Sequence, residues 1–262
     1  MSQMQLALLL SIVCVAALAA AGKRPYIDEF QGRPRQAVAA ALLTAILALT
    51  VFFPVMSFGK AEEIDPVTIW FPSLLTGHAI LALFLLLWWR LRRNGSLAAF
   101  LHLSRDRWPD KIRYGFATGC IGWLVTVACS GMAAGLFALA SEPASPASEI
   151  SPLLVWMAER PLSQRLTIVA VAMTVEESFF RGFMQPRVGL LVSSVLFTLS
   201  HFSYGMPVMI VGVFAISLTI GIAFKRAGDL LPCMVAHGVF DAVQLLVILP
   251  WAVRAWSPAG MP

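Results

Sequence analysis

Long apolar runs alternate with short polar stretches from one end of the chain to the other. The runs fall at about residues 4–21, 37–57, 67–89, 114–140, 164–184, 188–203, 206–224 and 230–250. Each is near the length an α-helix needs to cross about 30 Å of hydrocarbon at 1.5 Å per residue. A membrane barrel would instead show short segments of alternating hydrophobicity. The pattern therefore predicts an all-α, polytopic helical membrane protein with about eight transmembrane helices.

The polar stretches alternate too. Loop 22–36 holds Lys23, Arg24, Arg33 and Arg35, and loop 90–113 holds Arg90, Arg92, Arg93, Arg105, Arg107, Lys111 and Arg113. The turn near 185–187 carries Arg187, and the turn 225–229 carries Lys225 and Arg226. The intervening loops 58–66, 141–163 and 201–206 are poor in cations. The positive-inside rule then puts the basic loops in the cytoplasm and both termini outside, with a bacterial inner membrane as the expected location. Met1 to Gln5 lack a cation while Lys23 and Arg24 follow the first run, so that run is expected to stay as a helix rather than be removed as a signal peptide. Within loop 90–113, residues 97–101 are apolar and suit a helix lying on the membrane surface.

Composition agrees. The 262 residues are 59% hydrophobic and 13% charged, against about 25% charged in a typical soluble domain. Mean hydropathy is +0.80. A water-soluble globule, a disordered chain and a collagen-like chain are excluded. The net charge of +5 reflects loop bias rather than a nucleic-acid partner. Cys14, Cys120, Cys129 and Cys233 lie in apolar runs without a CxxC spacing and read as buried small hydrophobes. Gly115/Gly119 and Gly131/Gly135 are small-xxx-small pairs that let a neighbouring helix of the same chain approach closely. Trp70, Trp88, Trp89 and Trp251 fall near run ends, as interfacial anchors would. Phe179, Phe180 and Met184 are expected to pack between helices.

Chemistry is legible where polar groups sit inside the runs. Among acidic residues these are Glu176, Glu177 and Asp241, and among histidines His78, His201 and His237. Such groups at membrane depth are costly and mark function by default. Counted from the nearest basic turn, Glu177 lies about 15 Å deep, His201 about 20 Å, His237 about 12 Å and Asp241 about 18 Å. Three helices thus bring polar groups into one slab near mid-membrane. His237 and Asp241 share a helix face at i,i+4, as do Glu177 and Arg181. Glu176 points about 100° from Glu177. Arg181 is expected to hold Glu177 while Glu176 faces the histidines. His78, a lone histidine beside Gly77, reads as a satisfied core or interfacial residue, and His102 as solvated.

A carboxylate in a dry site with a histidine can hold and deprotonate a water, and a second histidine with a hydrogen-bonding neighbour can stabilise an oxyanion. That equipment suits hydrolysis of a peptide bond. Glu176, His201 and His237 would equally suffice for a catalytic zinc or another divalent metal. A buried network that only fixes helix packing, or a proton or cation relay in a transporter, uses the same residue types. No HExxH and no GxSxG is present, and a single intramembrane Asp excludes an aspartyl dyad.

Glu176-Glu177-Ser178-Phe179-Phe180-Arg181 resembles the EExxxR motif of the CAAX-protease and bacteriocin-processing (CPBP) family, which includes the Ras-converting endopeptidase. Phe197 to His201 resembles its FxxxH motif, and His237 to Asp241 its HxxxN/D motif. The resemblance covers about residues 164–250 as a catalytic helical core. Residues 1–163 are then a membrane-spanning extension of about four helices, and 251–262 a short tail. It implies an intramembrane endopeptidase acting on a membrane-anchored protein or peptide in the lipid bilayer. Glu176 and His201 would activate water, His237 and Asp241 would form the oxyanion site, and Glu177 and Arg181 would support them. The family has been described both as metal-dependent and as metal-free, and the expectation here is a glutamate protease without cofactor. Position 241 is Asp where the prenyl-protein enzymes carry Asn. A catalytically inactive immunity or scaffold member is the remaining alternative.

Overall fold

The computed structural model describes residues 1–56, 69–93, 95–140, 152–204 and 206–256. Loop 58–66, the first two residues of the run expected at 67–89, and Glu142 and Glu149 lie outside the described residues. Among the described residues there is no strand. Eight helices follow the eight apolar runs: α1 Gln3–Ala20, α2 Arg33–Met56, α3 Thr76–Arg92, α4 Trp108–Ala140, α5 162–188, α6 Leu190–Ser200, α7 Pro207–Ala227 and α8 Leu231–Ala255. Helices α1, α2, α4, α7 and α8 are long and apolar enough to cross a membrane. The protein is an all-α, polytopic membrane protein.

Helix α6 is shorter than its run. It starts after Gly189, whose φ of 92° suits glycine, and ends at Ser200 with His201 as its C-cap. Eleven residues cover only about 16 Å, half a bilayer. The chain continues through a 3-10 turn, Phe202–Tyr204, to Pro207 in the first turn of α7. His201 is thus presented from the inner end of a half-length helix.

Helix α4 lies along α7 and α8, and glycines set the approach. A Cβ on Gly115 would stand 2.6 Å from the Pro232 carbonyl oxygen, and one on Gly119 would stand 2.7 Å from that of Ala236. Among the described residues nothing stands near a Cβ placed on Gly131 or Gly135, so that second small pair does not serve helix packing there. On the other side, α3 packs on the turn of α5 after its two glutamates, and α1 and α2 contribute to the same apolar core. Phe179, Phe180, Phe183 and Met184 are buried there with Phe84 and Trp88. The Phe84, Trp88 and Phe183 rings meet with centroids 4.9 to 5.5 Å apart.

Two expectations are corrected. Trp88 is not an interfacial anchor: it is fully buried, and its Nε1 donates to Glu29 Oε2 at 3.3 Å. It occupies the inward face of α3, whereas Trp70 and Trp251 are exposed. Of the cysteines, Cys233 is buried, Cys14 and Cys129 are half-buried and Cys120 is exposed. The outer face of a membrane helix is as apolar as its core face, so hydrophobicity alone does not separate them.

The basic loops converge. Glu29 pairs with Arg187 at 2.5 Å and with Arg92 at 3.9 Å. Asp229 accepts from Lys111 Nζ at 2.6 Å and from the Ser104 backbone N–H at 3.0 Å. The short helix Leu97–Phe100 buries Phe100 in the same region. Loops far apart in sequence are thereby fastened at one end of the bundle. His102 stays exposed, as expected, with its ring edge-on to Phe224.

Candidate active site

Glu176 and Glu177 are consecutive on α5, so their side chains leave the helix in different directions and enter different surroundings. Glu177 points into the protein. Its Oε1 lies 3.2 Å from Arg181 Nη1 and 2.7 Å from His237 Nδ1. Arg181 is as deeply buried as Glu177, with 1% and 0% of the two side chains exposed. Its Nη2 donates to the Ser217 carbonyl and hydroxyl, both at 3.1 Å, and its guanidinium lies 4.6 Å from the Phe197 ring centroid. A charge removed from water is tolerated when partners surround it in this way. The turn that follows, Ser178–Met184, is a π-helix, a local form often found at functional sites.

Glu176 points the other way. Its Oε1 lies 2.9 Å from His78 Nε2, and its Oε2 lies 3.8 Å from His201 Nε2. Oε2 is buried without a hydrogen-bond partner among the described residues. His201 Nδ1 is 2.8 Å from the Phe197 carbonyl oxygen. A carbonyl only accepts, so the proton of a neutral ring sits on Nδ1 and Nε2 presents its lone pair toward Glu176. Two acceptors, a carboxylate oxygen and an imidazole nitrogen, face each other slightly too far apart to touch.

His237 is fixed from both sides. Glu177 meets its Nδ1, and Asp241 Oδ2 lies 3.3 Å from its Nε2. The i,i+4 pairing of His237 with Asp241 and of Glu177 with Arg181 is as the sequence predicts. The division of labour differs in one respect: His237 leans on Glu177, and the second histidine at Glu176 is His78. Run three is the element that delivers it.

The groups open on a cavity of about 290 Å³. Glu176, His78, His201, His237 and Asp241 are on its wall, with mostly apolar side chains such as Met157 and Ile216 around them. Glu177 and Arg181 are not. They stand behind His237. Glu176, His201 and His237 do not converge as a metal would require, because both His237 nitrogens are engaged by carboxylates. Among the described residues no three His, Cys, Asp or Glu side chains are grouped for a metal ion.

Residues 158–243, about a third of the chain, match the type II CAAX prenyl endopeptidase family, Rce1-like. The resemblance drawn from the three motifs is borne out over this region, which carries all of them. The chain is also similar to the uncharacterized protein YpbD of Bacillus subtilis, at 38% identity over 69 residues, 26% of this chain and 36% of that protein. The chain thus spans about a third of the length of the curated relative it matches. No solved structure matches significantly.

Proposed function

With residues 158–243 matching the Rce1-like CAAX prenyl endopeptidases, we propose that the chain is an intramembrane endopeptidase of the glutamate type. The observation that carries this reading is the opposed pair of acceptors, Glu176 Oε2 and His201 Nε2, 3.8 Å apart on the cavity wall. A water between them would donate one proton to each and turn a lone pair to the cavity. It attacks the scissile carbonyl carbon as its proton passes to Glu176, giving a tetrahedral oxyanion. His237 is fixed through Nδ1 by Glu177, and its Nε2–H, which also meets Asp241 at 3.3 Å, is shared with that oxyanion. Glu176 then returns the proton to the leaving amine as the C–N bond breaks. No step is assigned to a metal.

Asp241 takes the place of the Asn of the prenyl-protein enzymes as an acceptor that orients His237. The substrate is a membrane-tethered chain: a lipidated or helical C-terminal tail, a sorting signal or a leader. Its cleavable segment enters the mostly apolar cavity. Residues 1–163 form the membrane-spanning extension around the 164–250 core, and the fastened basic end faces the cytoplasm of a bacterial inner membrane. The test is a comparison of wild type with Glu176→Gln in proteoliposomes. The probe is a quenched fluorescent peptide whose farnesyl-cysteine stands three residues from the C-terminus. Cleavage by wild type and loss of at least about 100-fold in the variant is expected; equal rates would refute the assignment.

A further inference from the structure

We propose that His78, contributed by α3 outside the region matching the family, is a positioning residue for Glu176. The inference rests on the hydrolase reading and deepens it.

The geometry is direct. His78 Nε2 lies 2.9 Å from Glu176 Oε1, while the other oxygen, Oε2, faces His201. A carboxylate rotates readily about its last bond, and an unanchored Glu176 would present either oxygen, or neither, to a water at His201. With Oε1 accepting the Nε2–H of His78, only Oε2 is left for the reaction. The ring is 19% exposed, on the cavity wall. In a neutral ring the donated hydrogen on Nε2 leaves Nδ1 as an acceptor, and Nδ1 is buried without a hydrogen-bond partner among the described residues.

A packing role does not account for this arrangement. A polar ring at membrane depth is costly, and an apolar side chain would fill the space. The other charged groups near Glu176 are accounted for: Arg181 goes to Glu177 and Ser217, His237 to Glu177 and Asp241, and His201 Nδ1 to Phe197. His78 is what fixes Oε1. The consequence is architectural. The extension is not only a membrane anchor, since the core by itself would lack the group that aims its base.

The experiment compares wild type, His78→Leu and His78→Gln in proteoliposomes with the farnesyl-peptide probe, alongside thermal unfolding in detergent. Gln keeps one N–H donor at a similar reach, and Leu keeps only bulk. His78→Leu should lose about 10- to 100-fold in kcat with KM little changed. His78→Gln should recover most of it. Leu turning over as fast as wild type, or Gln failing as badly as Leu with unfolding temperatures unchanged, overturns the proposal. A double-mutant cycle of His78→Leu with Glu176→Leu, which removes donor and acceptor in turn, reads the contact on unfolding without turnover. Additive effects overturn the proposal even if the protein cleaves peptides. Coupling in a protein that cleaves nothing keeps the contact and sinks the hydrolase reading instead.

Discussion

Glu177 and Arg181 each depend on the other for burial. Replacing Arg181 by Leu would leave the Glu177 carboxylate in the core with His237 as its remaining close partner. Loss of one member of a buried pair costs about 3–5 kcal/mol, so Arg181→Leu should lower the unfolding temperature markedly, and Arg181→Leu with Glu177→Gln should recover part of the loss. Calorimetry or fluorescence melting in detergent checks both. At Asp241 the expectation is milder. Asn keeps an acceptor oxygen for His237 Nε2, so Asp241→Asn should retain cleavage of the farnesyl peptide within about 10-fold, whereas Asp241→Ala should fall well below it. The i,i+4 pairs were legible because helical spacing is a local rule. His78 was not, because its partner stands 98 residues away. The signal was nevertheless present: counted back from Arg90, His78 lies about 18 Å deep, in the same slab as Asp241.

At the scale of elements, the glycines of α4 have a job in the site. Helix α8 carries His237 and Asp241, and its Ala236 carbonyl passes within 2.7 Å of where a Gly119 Cβ would stand. Gly119→Leu should push α8 away and lower stability and hydrolysis together, while Gly131→Leu, in open space, should leave both near wild type. Melting curves and peptide cleavage on the same two variants decide it. Seven of the eight runs gave helix bounds to within about six residues, because continuous hydrophobicity is what a span requires; the third helix begins at Thr76 rather than near 67. The half-length α6 escaped the pattern, since its break is set by Gly189 and by the turn after His201 rather than by a polar residue. Trp88 escaped for the same kind of reason: distance from a run end says nothing about which face of the helix is inward.

At the scale of the molecule, one end of the bundle is tied by ion pairs and the site lies toward its middle. Burial alone would push the Asp229 carboxyl up. The hydrogen bonds from Lys111, Leu231 N–H and Ser104 N–H outweigh it, so its pKa stands below the ordinary carboxylate value. A depressed folded-state value stabilises above the unfolded-state pKa of about 4 and is lost as pH falls through the folded-state value. Acid should therefore loosen this end, and Asp229→Asn should flatten the acid side of the stability curve while lowering stability at neutral pH, read by melting between about pH 2.5 and 7. The convergence of the basic loops agrees with their shared charge. That charge bias was visible in sequence, whereas the partner acids Glu29, which stands beside Asp28, and Asp229 became visible only in the fold.

The central claim is that Glu176 is the base of a peptide-bond hydrolase. Its most direct test expresses wild type and Glu176→Gln at equal levels in cells and compares the N- and C-termini of membrane proteins by mass spectrometry. A tail or leader cut in the wild-type cells and intact in the variant is the predicted result, and it also identifies the substrate. Identical termini in the two cell lines, with both proteins folded in the membrane, would contradict the claim.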